Sequence, residues 1–313
     1  MNPGPIAHDR MSALILVIGC MLLGVFFQHI PQFPKDASKG LNAFLIYVSI
    51  PAITLRYLPA LEVSWDLLFP VAMPWIVFGW SLVLFVVLGK WRGWSRQTVG
   101  CLVLVAGLGN TSFVGFPLIE AFFGKEGLQI AVLCDQPGSF LVLSTLGILA
   151  MSYFLTGSWS LSVIGSEILR FPPFLAFLVA LVLLLSGFSL GEWLTRPLEM
   201  LGATLTPIAM VSIGLQLKNP FRGKADWEAL SWGLFSKLLL APALISVLYL
   251  FVFNLRGMPV NVSILEAAMG PMVTPSIIAM EKNLNPPLAS LLIAVGIPVS
   301  LATVFAWHWA LGM

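Results

Sequence analysis

Four ionisable residues stand inside long apolar runs of this 313-residue chain: Glu120, Asp135, Lys237 and Glu266. In hydrocarbon a charge near the bilayer centre costs about 2.5–3.5 kcal/mol even on the insertion scale. Each therefore needs a surface, a partner, a proton or an ion. Asp135, in "AVLCDQPGSF", fits proton or cation coupling, bracing of a helix crossing, or a hydrogen-bonded carboxyl that ties helices together. Glu120 fits a gating or proton-carrying role, or a place at an outer vestibule. Glu266, in "ILEAAMGP", fits a polar contact within a bundle, or ligand or proton work. Lys237, in "FSKLLLAP", fits snorkelling to the cytoplasmic surface or pairing with a membrane carboxylate.

Between these residues runs "GLGNTSFVGFPLI", Gly107 to Ile119, with good apolar helix on both sides. Every backbone polar group in hydrocarbon must be paired, so irregular backbone survives only inside protein or beside water. Pro117 lacks an amide hydrogen and clashes with the turn before it. Gly107, Gly109 and Gly115 weaken the helix and admit another chain closely. The stretch is expected to unwind at mid-membrane and restart near Pro117 with free amide hydrogens. "AAMGPMVTP", Ala267 to Pro275, is expected to do the same from the opposite direction. Such restarts suit an anion. The substrate-facing candidates are Gly109, Asn110 and Thr111 in the first break and Gly270, Met272 and Thr274 in the second. Pro117, Pro275 and Gly115 are the candidate crossing and hinge positions. Tight packing of small residues is the competing explanation for either stretch alone; their pairing favours a site.

The elements that must position these residues are membrane helices. The chain is 58% hydrophobic and 10% charged, against roughly a quarter charged in soluble domains. Ten apolar segments can be read between charged or Pro/Gly punctuation: Ser12–Ile30, Gly40–Leu58, Leu67–Gly89, Thr98–Phe123 and Leu128–Leu155, then Pro172–Gly191, Leu198–Leu217, Leu230–Phe253, Val260–Met280 and Leu288–Leu311. The first is too long for a signal-peptide core, and no small-residue cleavage site follows it. Ten crossings put both termini on one side. Lys35, Lys39, Lys90, Arg92, Arg96, Arg170, Lys218, Arg222, Lys224 and Lys282 fall on the other, outnumbering Arg10, Arg56, Lys125, Arg196 and Arg256. The positive-inside rule then sets the termini outside, periplasmic for an inner membrane.

Prolines recur at a nearly constant offset in equivalent segments: Pro51 with Pro207, Pro117 with Pro275, Pro137 with Pro298. The expected fold is all-α and polytopic, ten transmembrane helices as 5+5 inverted repeats with broken, crossing helices 4 and 9. Residues 1–170 form the first repeat and 171–313 the second, in one membrane domain. Inverted repeats with matching broken helices point to a secondary transporter with a midplane site.

"GNTSFVGFPLIEAFFGKEG" resembles the fourth-helix motif of the auxin efflux carrier family, Asn-Thr followed by Gly-x-Pro-Leu. "PMVTPSIIAMEKNLNPPLASLLIAVGIPVSLATVF" is similar to that family's ninth and tenth helices, and "YVSIPAITLRYL" to its second. The resemblance covers nearly the whole chain. It implies a fold related to bile-acid transporters and sodium/proton antiporters, with helices 4 and 9 crossing at prolines beside an organic-anion site. Asn110 fills the Asn of the motif and is the leading substrate contact; Pro117 and Pro275 take the crossing positions. The long cytoplasmic loop of plant members is missing. Likeness to short bacterial members implies small mono- or dicarboxylates, such as malate or malonate, over indole acids.

No phosphate-binding loop, zinc-protease helix or nucleophile elbow is found, and no basic soluble surface offers itself to nucleic acid. Cys20, Cys101 and Cys134 lie in apolar runs without metal-ligand spacing and read as small core residues. His8, His29 and His308 are far apart, and the tryptophans are expected at the interfaces. The function read here is secondary or facilitative transport of small organic anions by alternating access, with no enzymatic step, cofactor or metal. The partners are the anion, the bilayer and, for coupling, a proton or sodium; a homodimer is left open. A proton- or sodium-coupled cation antiporter using Asp135 or Glu266 is the alternative, and a non-transporting sensor a further one.

Overall fold

The computed structural model describes residues 5–157, 171–217 and 226–312. The basic residues Arg170, Lys218, Arg222 and Lys224, on which much of the orientation rests, lie outside them. Among the described residues the regular structure is helical, apart from a single isolated bridge. In chain order the helical stretches are α1 (Pro5–Phe27), α2 (Ala37–Ala60), α3 (Trp65–Arg92), α4 (Arg96–Ala106) and α5 (Thr111–Thr156). After them come α6 (Pro172–Ser186), α7 (Glu192–Gln216), α8 (Trp227–Val252), α9 (Met258–Ala268), α10 (Val273–Glu281) and α11 (Pro286–Ala310). Six of these, α2, α3, α5, α7, α8 and α11, are long and apolar enough to cross a membrane.

At 46 residues, α5 would extend roughly 70 Å as a straight helix at 1.5 Å per residue. That is more than twice the hydrocarbon thickness of about 30 Å. Gly124, at φ 67° and ψ −160°, breaks it. A side chain there would force a β-carbon against the backbone, and glycine avoids this. The sequence places the change of segment at the same spot, between Phe123 and Leu128.

The outer faces are apolar. Ile15, Leu22 and Phe26 on α1 and Val83 and Val87 on α3 are exposed, as lipid-facing side chains are. Trp65, Trp91, Trp193, Trp227 and Trp309 are also exposed and sit at the ends of α3, α7, α8 and α11, where indole rings meet the headgroup layer. Cys20, Cys101 and Cys134 are buried free thiols, in keeping with a packing role.

The chain forms two compact units, and each draws on both halves of the sequence. The first contains the described residues of Met1–Ser64, Ser112–Val132 and Leu169–Lys218. In it α1 lies along α7, where Gly24 meets Gly214: a β-carbon on Gly24 would stand 2.2 Å from the Val211 carbonyl oxygen. The Gln28 amide donates to the Gly214 carbonyl at 2.6 Å and so closes the end of α7. Ser49 bonds Thr204 at 2.8 Å and Ser212 donates to Asn42 at 2.5 Å, joining α2 to α7. Glu199 on α7 pairs with Arg56 at 3.6 Å and with Lys125, just beyond the Gly124 turn.

The second unit contains the described residues of Trp65–Thr111, Leu133–Ile168 and Asn219–Met313. Here α3 packs against residues 134–140 of α5. Residues 134–140 run as a π-type helix around Pro137, which has no amide hydrogen to donate, and the Pro137 carbonyl accepts from Trp75 Nε1 at 3.1 Å. Tyr249 on α8 donates to the Phe69 carbonyl at 2.7 Å. Asn285 caps α11 by accepting from Leu288 N and donates to Thr98 on α4 at 3.0 Å.

Candidate functional site

Two helices of the second unit stop inside its core. The first ends with α4 at Ala106, and Gly107 to Asn110 run non-helically to the start of α5. The other ends with α9 at Ala268, and Met269 to Met272 run to the start of α10. The two gaps pair as an antiparallel bridge between Gly109 and Pro271. Asn110 N donates to the Gly270 carbonyl at 2.8 Å and Met272 N to the Leu108 carbonyl at 3.1 Å.

This bridge explains why proline and glycine face each other. In an antiparallel ladder the non-hydrogen-bonded pair needs no donor of its own and brings its α-carbons closest, to about 4.5 Å. Pro271 has no amide hydrogen to lose. Gly109 has no β-carbon, and one added there would stand 3.0 Å from Lys237 Nζ and 3.2 Å from the Glu266 carbonyl oxygen. Backbone groups that an interrupted helix exposes in an apolar interior must pair, and here they pair across the gaps.

Around the bridge the core is buried and polar. Lys237 on α8 is 1% exposed and donates to the Ala267 carbonyl at 2.9 Å. Its ammonium thus caps the C-terminal end of α9, where helix carbonyls lack partners and the dipole favours a cation. Asp135 on α5 is buried and accepts from Thr111 Oγ1 at 2.6 Å and from the Gln136 amide at 2.7 Å. Glu266, on the last turn of α9, is fully buried, and neither carboxyl oxygen has a hydrogen-bond partner among the described residues. It stands in electrostatic range of Lys237 and Asp135. The Gln136 side-chain oxygen and the Ser139 and Ser236 hydroxyls are likewise buried without partners.

The structure therefore brings together Gly109, Asn110, Thr111, Asp135, Lys237, Glu266, Gly270 and Met272 of the residues singled out from the sequence. Lys237 is buried, where snorkelling would leave its head exposed, and its ammonium bonds the Ala267 carbonyl; no ion pair between it and a carboxylate forms among the described residues. Thr274 lies one residue inside α10 and is exposed. Pro275 is in the first turn of α10 and Pro117 near the start of the α-helical part of α5. Both follow the interruptions, and the bridged positions are Gly109 and Pro271. Gly115, Pro117 and Glu120 belong to the first unit, where Glu120 stands in electrostatic range of Lys125 and Glu199. Gln136, Ser139, Ser236 and Pro271 join the cluster without having been singled out. For Gln136 and Ser139 the signal was "DQPGS" itself, two polar residues at helical spacing beside Asp135.

Apolar spans with interrupted helices and a buried polar cluster beside the interruptions are the marks of a multi-pass membrane transporter. A family model described as "Membrane transport protein" matches residues 10–154 and 159–308, and the chain belongs to that family, the auxin efflux carriers. It is similar to a protein of Methanocaldococcus jannaschii named an uncharacterized transporter, 26% identical over 311 residues, with 96% of this chain and 98% of the relative covered. A Methanothermobacter thermautotrophicus protein, also named an uncharacterized transporter, is 29% identical over 305 residues, with 95% of each chain covered.

Proposed function

We propose that the protein is a secondary or facilitative carrier of small organic anions, working by alternating access around the bridged gaps. The observation that carries this reading is the bridge itself. It holds two helix interruptions side by side in an apolar core, so that the restarts at Thr111 and Val273 begin beside it with amide hydrogens unbonded within their own helices. A carboxylate is the natural occupant of such ends. Asn110 adds a side-chain amide with donors suited to carboxylate oxygens. Mono- or dicarboxylates of the size of malate or malonate match the class implied by the family resemblance.

The same reading takes the chain as ten crossings in a 5+5 inverted repeat, with both termini outside an inner membrane and the basic loops in the cytoplasm. Supporting it, each compact unit takes helices from both sequence halves, and α4 with the start of α5 mirrors α9 with α10 in having a gap at the same place in the order. The protein would carry its anion without cofactor, and a homodimer is compatible with the exposed apolar faces.

The test is uptake of radiolabelled malate, malonate and an indole acid by proteoliposomes containing the purified protein. Asn110→Ala is expected to cut the flux of the accepted acid at least tenfold. Undiminished uptake and affinity in that variant would remove Asn110 from the site. The buried acids Asp135 and Glu266 favour a second reading, a cation antiporter. It would appear as proton or sodium flux with no organic acid present, lost in Asp135→Asn.

A further inference from the structure

The buried charges beside the bridge do not balance. Asp135 and Glu266 are two acids, and among the described residues Lys237 is the base in electrostatic range of Glu266. All three are less than 5% exposed. A surplus charge in such an interior costs several kcal/mol unless something neutralises it.

The hydrogen bonds distinguish the two acids. Asp135 accepts from Thr111 and Gln136, the arrangement that suits an ionised carboxylate. Glu266 accepts from no described residue, and the ammonium nearest in function, Lys237, directs its bond to the Ala267 carbonyl instead. The titratable and charged groups that face Glu266 are Lys237 from α8 and Cys134 and Asp135 from α5. The other helices packed on α9 are α3 and α11, and these carry their charged and titratable residues Asp66, Lys90, Arg92 and His308 at their ends.

We infer that Glu266 is the coupling carboxyl of this transporter, binding one proton that enters and leaves with the substrate. The proton goes on a carboxyl oxygen of Glu266 when the cluster is closed from water, leaving Asp135 and Lys237 as a balanced pair. It returns to water when the gap opens to the other side. No bond other than this O–H forms or breaks, and the stoichiometry is one proton per cycle, because one surplus charge needs neutralising. Glu266 sits within one turn of the Gly270–Asn110 hydrogen bond, so movement of the gap changes its surroundings directly. This inference rests on the reading of the protein as an organic-anion carrier only for the identity of the co-substrate.

Two measurements test it separately. Infrared difference spectra of the purified protein, recorded across a pH titration, are expected to contain a protonated-carboxyl band that Glu266→Gln removes and Asp135→Asn retains. A spectrum in which Glu266→Gln removes no such band overturns the proton site, whatever the protein carries. In proteoliposomes clamped at zero membrane potential, a one-unit pH gradient is expected to drive up to about tenfold accumulation of labelled malonate or malate. In Glu266→Gln, accumulation should fall to the level found with no gradient. Gradient-driven accumulation that persists in Glu266→Gln overturns the coupling role. No uptake of any acid by the unmodified protein, with the infrared band present and lost in Glu266→Gln, would instead reject the organic-anion reading and keep the proton site.

Discussion

Replacing Lys237 by methionine removes the ammonium beside the bridge while nearly preserving side-chain volume. Two consequences add in the same direction. The Ala267 carbonyl loses the donor that reaches it at 2.9 Å, a bond to a charged group worth about 1.5–3 kcal/mol. With Glu266 protonated, the cluster also keeps an ionised Asp135 without the cation that balances it among the described residues, and breaking a buried charge balance from one side costs about 3–5 kcal/mol. The two terms overlap, so a loss of about 3–5 kcal/mol is expected. At roughly 2–4 °C per kcal/mol for a chain somewhat smaller than this, the unfolding midpoint in detergent should drop by roughly 6–20 °C. Cys20, Cys101 and Cys134 are buried, so a thiol-reactive dye reports the transition without added labels. Asp135→Asn placed on top of Lys237→Met should restore part of the loss, with a coupling of about 1–3 kcal/mol between the sites. A Lys237→Met midpoint within about 2 °C of the parent, or a double variant that falls by the sum of its single changes, would refute the charge accounting.

Gly109→Val is expected to separate the bridge. The first added carbon already stands 3.2 Å from a backbone oxygen, and overpacking of this kind costs about 1–3 kcal/mol; transport should be lost while Gly93→Ala, a helix-end change at exposed Gly93, leaves it intact. Glu199→Ala should cost under about 2 kcal/mol in thermal unfolding, because its partners are part-exposed and such pairs contribute about 0.2–1 kcal/mol each; the difference should shrink in high salt. Trp75→Phe, which deprives the Pro137 carbonyl of its donor, should lower stability by about 1 kcal/mol without changing the pH dependence of uptake. In the folded protein the three cysteines should resist maleimide and react only once it unfolds, which mass spectrometry would count.

Much of this was legible because hydrocarbon permits so few backbone solutions. Gly107, Gly109 and Asn110 in an otherwise apolar run meant a gap, and "AAMGPMVTP" meant a second. The exact meeting point was less accessible. Proline marks a missing donor, which drew attention to Pro117 and Pro275, yet Pro275 sits in an opening helical turn, where proline loses nothing, and Pro117 lies six residues beyond the restart at Thr111. The pair that meets is chosen by which residues tolerate the closest approach, and only tertiary packing decides that. Lys237 was ambiguous for a related reason: its position along α8 gives no depth, and its burial is decided by α9 and the Gly109 gap beside it. The two compact units were beyond reach of a linear reading, since residues on either side of Thr111 belong to different ones.

The bridge also sets a schedule for the chain's birth. Leu108 and Asn110 lie in the gap after an early helix, and the partners that satisfy their backbone groups, Gly270 and Met272, lie half a chain later. At about 5–20 residues per second, synthesis leaves the first gap waiting on the order of ten to thirty seconds for its mate. During that interval its amide and carbonyl need water, lipid headgroups or a membrane chaperone. The nascent first half is thus obliged to sit shallow or shielded, and it can settle to full depth only when α9 and the gap that follows it have been made.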